Sequence, residues 1–387
     1  MREVAVVGVG MTKFGRSEKT ILEMFSEAAL EAIADSNLQV KDIQALFFGT
    51  VYGGFAEGQM NMASFAAHAL GAHNIPAVRY EGACATASVA IREAFIWVAS
   101  GFYDIVLAGG SERTLVMDTS YSTRLYEMGS HHAYECPTGI TFPGVFALMA
   151  NLYASKYGIA PEKLKEQMAL VAIKNHHNAM FNPKAQFHKE ITLEDVYNSP
   201  MVASPLQLYD CCPFTDGAAA VVLAPAEMAR KLVAKPIRIA GIGQASAGPL
   251  YAQKDITRIK ARELAAKQAY DMAGLTPKDI DVVELHDCFT IAEIVASECL
   301  GLFDFGEASA AVARGETQLK GRIPINPSGG LKAKGHPIGA TGAAQVYEIV
   351  KQLRGEAGER QVEGAKVGLT DTLGGDLATV ANIILRK

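Results

Sequence analysis

The sequence predicts an α/β fold made of two similar halves, and three observations carry that prediction. Short strands of buried type alternate with amphipathic helices; a glycine-punctuated strand returns about 235 residues after its first appearance; and each half sets a turn of small residues directly before a helix. Such alternation is expected to build parallel sheets covered by helices on both faces.

Residues 4–10 (VAVVGVG) form the first strand, and residues 237–243 (IRIAGIG) repeat it. Behind the first copy, Leu22, Phe25, Ala29, Ala32 and Ile33 recur at helical spacing, and residues 43–48 then have the length and apolarity of a buried strand. The second copy continues in parallel: a helix from Ala261, a short loop, the Lys-Asp-Ile that also stands at Lys41, and a strand ending in residues 284–289. In the first half Ala87, Ala90, Ile91, Ala94, Phe95 and Val98 mark a further helix and residues 105–108 a strand. Their counterparts are Val346, Ile349, Val350 and Leu353, followed by residues 367–370. A segment rich in His, Tyr, Met and Phe interrupts the repeat at about 111–205 and is expected to be an inserted loop region lining a site. The halves are therefore expected at 1–235 and 236–387, packed closely with no low-complexity linker.

Composition removes several function classes. With 387 residues, 49% apolar and 20% charged, the chain has the balance of a folded globular protein. A net charge of -5 without long runs of one sign offers nothing to nucleic acid or to an anionic membrane surface. The best candidate for a membrane span, residues 142–154, is too short and carries Asn151. Residues 4–9 are too short and glycine-broken for a signal peptide. Six cysteines without a Cys-x-x-Cys predict a reducing cytoplasm and no metal site.

Few residues are placed to carry chemistry. Cys84 lies among small residues that lead into a helix, where free N–H groups and the helix dipole favour a thiolate. By position alone it reads equally well as a buried structural cysteine. His336 stands in the glycine-rich run 335–342 (GHPIGATG), and two halves related by approximate two-fold symmetry would bring it opposite Cys84. His286 and Cys288 end a strand, where α/β sheets bind ligands. As a metal site, that pair lacks two ligands. The adjacent Cys211 and Cys212 read as core, and His131, His132 and Cys136 as loop surface. Residues 8–13 and 241–246 miss the third glycine of a dinucleotide fingerprint, and no nucleophile elbow or phosphate loop occurs.

These residues together resemble the thiolase superfamily over essentially the whole chain. Cys84, HDCF at residues 286–289 and GHPIGATG at 335–342 are similar to the sterol-carrier-protein type and archaeal-type thiolases. Biosynthetic and degradative thiolases carry Asn-Glu-Ala-Phe in place of HDCF and a second reactive cysteine in a terminal Cys-x-Gly-Gly loop. Here that loop reads Asp371-Thr372-Leu373-Gly374-Gly375-Asp376, and Leu377 and Ala378 stand where glycines are usual. The resemblance implies a thiolase-like duplicated fold and cleavage of a 3-oxoacyl-CoA, or the reverse condensation, through an acyl-cysteine. Cys84 would be the nucleophile, His336 its base and Cys288 the second acid/base. His286 and His336 would hold the enolate oxygen, and the amides of Cys84 and Gly374 the tetrahedral oxygen. Ser246 would touch pantetheine, with Phe289, Phe142 and Pro143 lining the pocket. Coenzyme A is implied as a co-substrate, with no tightly bound cofactor. The implied assembly is a homodimer or homotetramer, beside a small OB-fold partner with a zinc ribbon.

Two rival classes stand beside this one. Ketoacyl and hydroxymethylglutaryl-CoA synthases share the fold and the cysteine but use His-His, His-Asn or Glu. A silent acyl-CoA-binding or scaffold subunit would fit the altered terminal loop, yet has no need of Cys84, His286, Cys288 and His336 together. Tyr121, Tyr126, Tyr134 and Phe142 in the inserted region suit a bulky, branched or aromatic acyl group, or simple loop packing.

Overall fold

The computed structural model describes all 387 residues. Its strands are β1 (Val4–Met11), β2 (Ala45–Gly49), β3 (Ala77–Tyr80), β4 (Val106–Glu112), β5 (Met201–Ala203), β6 (Leu206–Gln207), β7 (Gly217–Pro225), β8 (Ile237–Ser246), β9 (Val282–Glu284), β10 (Val367–Gly374) and β11 (Thr379–Arg386). All but the small β5-β6 hairpin belong to one sheet, ordered β3-β2-β4-β7-β1-β8-β11-β10-β9. The two copies of the repeated strand meet at its centre, where β1 pairs antiparallel with β8 at Ala5–Arg238 and Val6–Ile237. Outward from this seam both halves follow one plan, β1-β7-β4-β2 on one side and β8-β11-β10-β9 on the other.

The sheet is mixed, which corrects the expectation of parallel sheets. Only β2 with β3 and β4, and β9 with β10, run parallel. Antiparallel pairing joins β10 to β11 through a tight turn and β4 to β7 across the inserted region, sets β7 beside β1 and β11 beside β8, and forms the seam.

The longer helices are α1 (Ile21–Asp35), α2 (Met62–Leu70), α3 (Thr86–Ser100), α4 (Thr119–Glu127), α5 (Phe142–Tyr157), α6 (Pro161–Ala179), α7 (Lys260–Ala273), α8 (Thr290–Cys299) and α9 (Thr341–Arg354). The inserted region between β4 and β7 is thus largely helical instead of a loop. Three apolar cores result. α1 and α2 cover one face of the first half, and α5, α7 and α8 one face of the second. α3 and α9 fill the space between the halves. β1 shows the period-2 logic: Val4 and Val6 face the central core while Ala5 and Val7 face α1. Ala83–Ser100 is long and apolar enough to cross a membrane by composition, but 61% of it is buried in this central layer.

The glycines of the repeated strand mark where a helix backbone lies on the sheet. A Cβ at Gly8 or Gly10 would come within 1.9 or 2.0 Å of the carbonyl oxygens of Ala32 and Ala28 in α1, and one at Gly241 or Gly243 within 2.0 or 1.9 Å of those of Ala269 and Ala265 in α7. Close packing, repeated in each half, accounts for both pairs.

Candidate active site

Cys84 occupies a single helical turn, Ala83–Ala85, that runs into α3, and His336 precedes α9 in the same manner. The helix starts meet because α9 has no side chain at the crossing: a Cβ on Gly342 would lie 2.1 Å from Ser88 Oγ and 2.6 Å from Ser88 N. The His336 turn also rests on the strand ends of the first half, where a Cβ on Gly110 would lie 2.0 Å from the Gly339 oxygen. His286 and Cys288 follow β9 and face the same space. Asp287 between them turns away to accept from Leu331 N at 2.7 Å and Asn175 Nδ2 at 2.8 Å. One ligand-type atom each of Cys84, His286 and His336 lies within 4.8 Å of the others, and the two imidazoles meet edge-on with centroids 5.0 Å apart.

These groups open into a cavity of about 440 Å³. Cys84, His286, Cys288 and His336 all line it, as do Phe142, Pro143 and Phe289. Two expected residues do not. Ser246 is exposed at the end of β8, opposite Thr379. Gly374 ends β10 with its Cα against the cysteine turn, where a Cβ would sit 2.2 Å from Gly82 O. The amide facing the Cys84 sulfur belongs to the next residue, Gly375, beside the amide of Cys84 itself. Cys211 and Cys212 pack against the apolar core of the second half, as the sequence suggests, and do more than that. Both line the cavity, which wraps around residues 211–214 after Cys211 bridges to Phe289 and Cys212 N donates to Cys288 O at 2.9 Å.

Electrostatics sets the resting state. Although the cavity leaves Cys84 partly open, the protein around it desolvates the thiol and pushes it up to about 12, with buried Glu112 acting in the same direction. Burial, aided by Lys334, brings His336 down to about 3. Burial also holds His286 well below the usual histidine range and Cys288 well above the thiol range. The helix-start argument for a resting thiolate is therefore overturned by desolvation: the site rests as thiols beside neutral imidazoles. The tautomer of His336 follows from its hydrogen bonds. Thr341 Oγ1 gives its only proton to Pro337 O at 3.0 Å, so it accepts from His336 Nδ1–H at 2.7 Å. Nε2 is left as a free base.

The terminal loop has a supporting role. Asp371 is fully buried; its carboxylate accepts from Arg262 Nε and Asn382 Nδ2, both at 3.0 Å, and from the His286 backbone N–H at 3.4 Å. Thr372 Oγ1 donates to Ala381 O at 3.2 Å and stays out of the cavity. Glu112 escaped the sequence reading. At the end of β4 it accepts from Val51 N, Tyr52 N and Thr50 Oγ1, and burial raises it to about 7. Its only signal in the sequence was an acidic residue closing an apolar strand.

A duplicated α/β scaffold that brings Cys84 of one half together with His286, Cys288 and His336 of the other in one largely apolar cavity defines an acyl-transferring enzyme. Residues 4–227 match the thiolase N-terminal domain and residues 243–387 the thiolase C-terminal domain-like family. The chain belongs to the thiolase family and is an acyltransferase. It is 46% identical over 383 residues to an acetyl-CoA acetyltransferase of Methanothermobacter thermautotrophicus, covering 98% of each chain. It is 38% identical over 381 residues to the benzoylsuccinyl-CoA thiolase subunit BbsB of Thauera aromatica, covering 97% of this chain and 95% of that one. Among solved structures it is similar to the Ltp2-ChsH2(DUF35) aldolase, with a TM-score of 0.84, 30% identity and coverage of 99% and 97%.

Proposed function

We propose that the protein is a thiolase that cleaves a bulky 3-oxoacyl-CoA with coenzyme A through an acyl-Cys84 intermediate, or runs the reverse condensation. The observation that carries this reading is the convergence of Cys84, His286, His336 and Cys288 on one cavity. Nε2 of His336 takes the Cys84 proton as the sulfur attacks the 3-keto carbon. With the thiol near 12 and the imidazole near 3, the transfer proceeds together with attack and no thiolate accumulates beforehand. The developing oxyanion meets the amides of Cys84 and Gly375. As the C2–C3 bond breaks, Cys288 protonates the departing enolate, whose oxygen is held by His286 and protonated His336. Cys288 then takes the proton of incoming coenzyme A, whose sulfur carries the acyl group away.

Aromatic walls support a bulky acyl group: Phe146 stacks on Phe289 at 4.5 Å, and Tyr126 meets Phe214 edge-on at 5.2 Å. Tyr121 and Tyr134, which prompted the same idea, are exposed outside the cavity. The Thauera relative is named for an aryl-bearing acyl-CoA. The neighbour's title names an aldolase, but Cys84 and Cys288 facing one cavity favour acyl transfer. We extend the proposal to a cytoplasmic homodimer or homotetramer, consistent with six free thiols and with the open edge of β3, where Val78 is exposed. A zinc-ribbon OB-fold partner is proposed too, since the neighbour's title joins Ltp2 to ChsH2(DUF35).

The test is mass spectrometry after incubation with substrate and no free coenzyme A. The acyl mass belongs on the Cys84 peptide; an active enzyme acylated elsewhere refutes the reading. Light scattering showing an active monomer would reject the oligomer, and full activity of the purified chain alone would remove the need for a partner.

A further inference from the structure

The cavity wall has two chemistries. Phe142, Phe146, Phe214 and Phe289 make one part aromatic. The other is a stripe from a single helix: Thr119, Thr123, Tyr126 and Glu127 of α4 stand at positions i, i+4, i+7 and i+8, one face of the helix, and all four line the cavity. From Tyr126 back to Thr119 the stripe runs about 10 Å at the helical rise. Its Tyr126 end lies nearest the reacting sulfur, for this ring stacks on Tyr52 at 5.1 Å and both pack in the small cluster that Cys84 joins.

Two groups on this stripe have no partner in the protein. Neither the Tyr126 hydroxyl nor the Glu127 carboxylate makes a hydrogen bond; the neighbouring Cys136 Sγ and Ser130 N instead donate to the Glu127 backbone oxygen. Glu127 is also the sole formally charged residue among the 21 that line the cavity: there is no Lys or Arg, and desolvation keeps both histidines neutral. An unpaired carboxylate beside a free phenol is complementary to a hydroxyl, which donates to the first and accepts from the second. A second carboxylate would meet like charge with no cation to offset it.

We infer that α4 selects the acyl group, admitting a neutral aryl or alicyclic group that carries a hydroxyl close to the reacting carbon and rejecting one that carries a free carboxylate there. The inference rests on the thiolase reading only for the acyl-CoA nature of the ligand.

Three 3-oxoacyl-CoAs of one shape, whose aryl ring carries hydrogen, hydroxyl or carboxylate at the position nearest the reacting carbon, test it. In the natural sequence kcat/KM should be highest for the hydroxyl compound and about 100-fold lower for the carboxylate. Glu127→Gln should raise the carboxylate-to-hydroxyl ratio about tenfold, and Tyr126→Phe should lower the hydroxyl-to-hydrogen ratio about tenfold. Each readout is a ratio on one preparation, so partial unfolding cancels. Calorimetric affinities of the same compounds for Cys84→Ala supply a measure free of chemistry. Binding in the stated order without any cleavage by the unaltered enzyme would sink the thiolase reading and uphold the selection by α4. Cleavage of all three with equal kcat/KM, or a ratio unmoved by Glu127→Gln, would overturn the selection and leave the thiolase reading standing.

Discussion

The last two sheet strands of each half are joined in opposite ways. In the first half β4 reaches β7 through residues 113–216, which bring in α4, α5 and α6; in the second, β10 reaches β11 through residues 375–378. The pairing is antiparallel in both and the strand order the same. What differs is the product: the long connection supplies the cavity wall, and the short one aims the Gly375 amide at the Cys84 sulfur. A repeated scaffold thus fixes where helix starts meet, while unrepeated connections supply selectivity and oxyanion contacts.

The division of labour can be broken by mutation. The first half contributes one reacting group, so Cys84→Ala should reduce turnover by about 10⁴-fold or more. Steady-state assays that retain activity within tenfold would shift the nucleophile to the other half. The second half contributes the proton carriers. Cys288→Ala should cost about 10²-fold in kcat, whereas Thr372→Ala, whose hydroxyl is committed to β11, should stay within about twofold. Equal losses would mean the terminal loop also carries a proton.

Alkylation sharpens the comparison further. Because the thiol is held near 12, iodoacetamide should label Cys84 in the free protein slowly at neutral pH, with a rate rising about tenfold per pH unit and no plateau near 7. A plateau near neutrality would restore the thiolate that helix position alone suggests. Gly342→Ala probes the contact between halves: it drives a methyl into Ser88 and should cost about 1 to 3 kcal/mol of stability in urea unfolding, with slower acylation.

The smallest effect is on pH-dependent stability. Between its folded value of about 3 and its ordinary 6.5, His336 is neutral when folded and protonated when unfolded. Stability from this residue is therefore lost as pH falls from 6.5 towards 3, and His176, brought down to about 4 by burial, has the same sign. Glu112 opposes them between 4.5 and 7, since the folded state keeps its proton there. Urea midpoints should fall with acid most clearly below about pH 4.5, and Glu112→Gln should steepen the slope above it.

The repeat, the alternation of elements and the two histidine motifs were legible because each rests on local pattern or on residues adjacent in sequence. The antiparallel seam was not, since Ala5 and Arg238 carry no signal that they will pair. The approach of the Gly375 amide to the Cys84 sulfur depends on how one tight turn ends, and the buried state of Cys84 on atoms from both halves. Cys211 and Cys212 looked like core because alternation in extended chain says nothing about a cavity that wraps around the segment. The α4 stripe was hidden in a run whose tyrosines attracted notice while Thr119, Thr123 and Glu127 did not.

The bare contact of Gly342 with Ser88, and of Gly339 with Gly110, has an engineering consequence. A glycine pressed against its neighbour at each contact acts as a machined stop: the gap between sulfur and imidazole is a fixed tolerance. Retuning this enzyme for other acyl groups is therefore a task for libraries in residues 113–216, where a changed side chain resizes the chamber, while residues 82–88 and 336–342 are best left untouched.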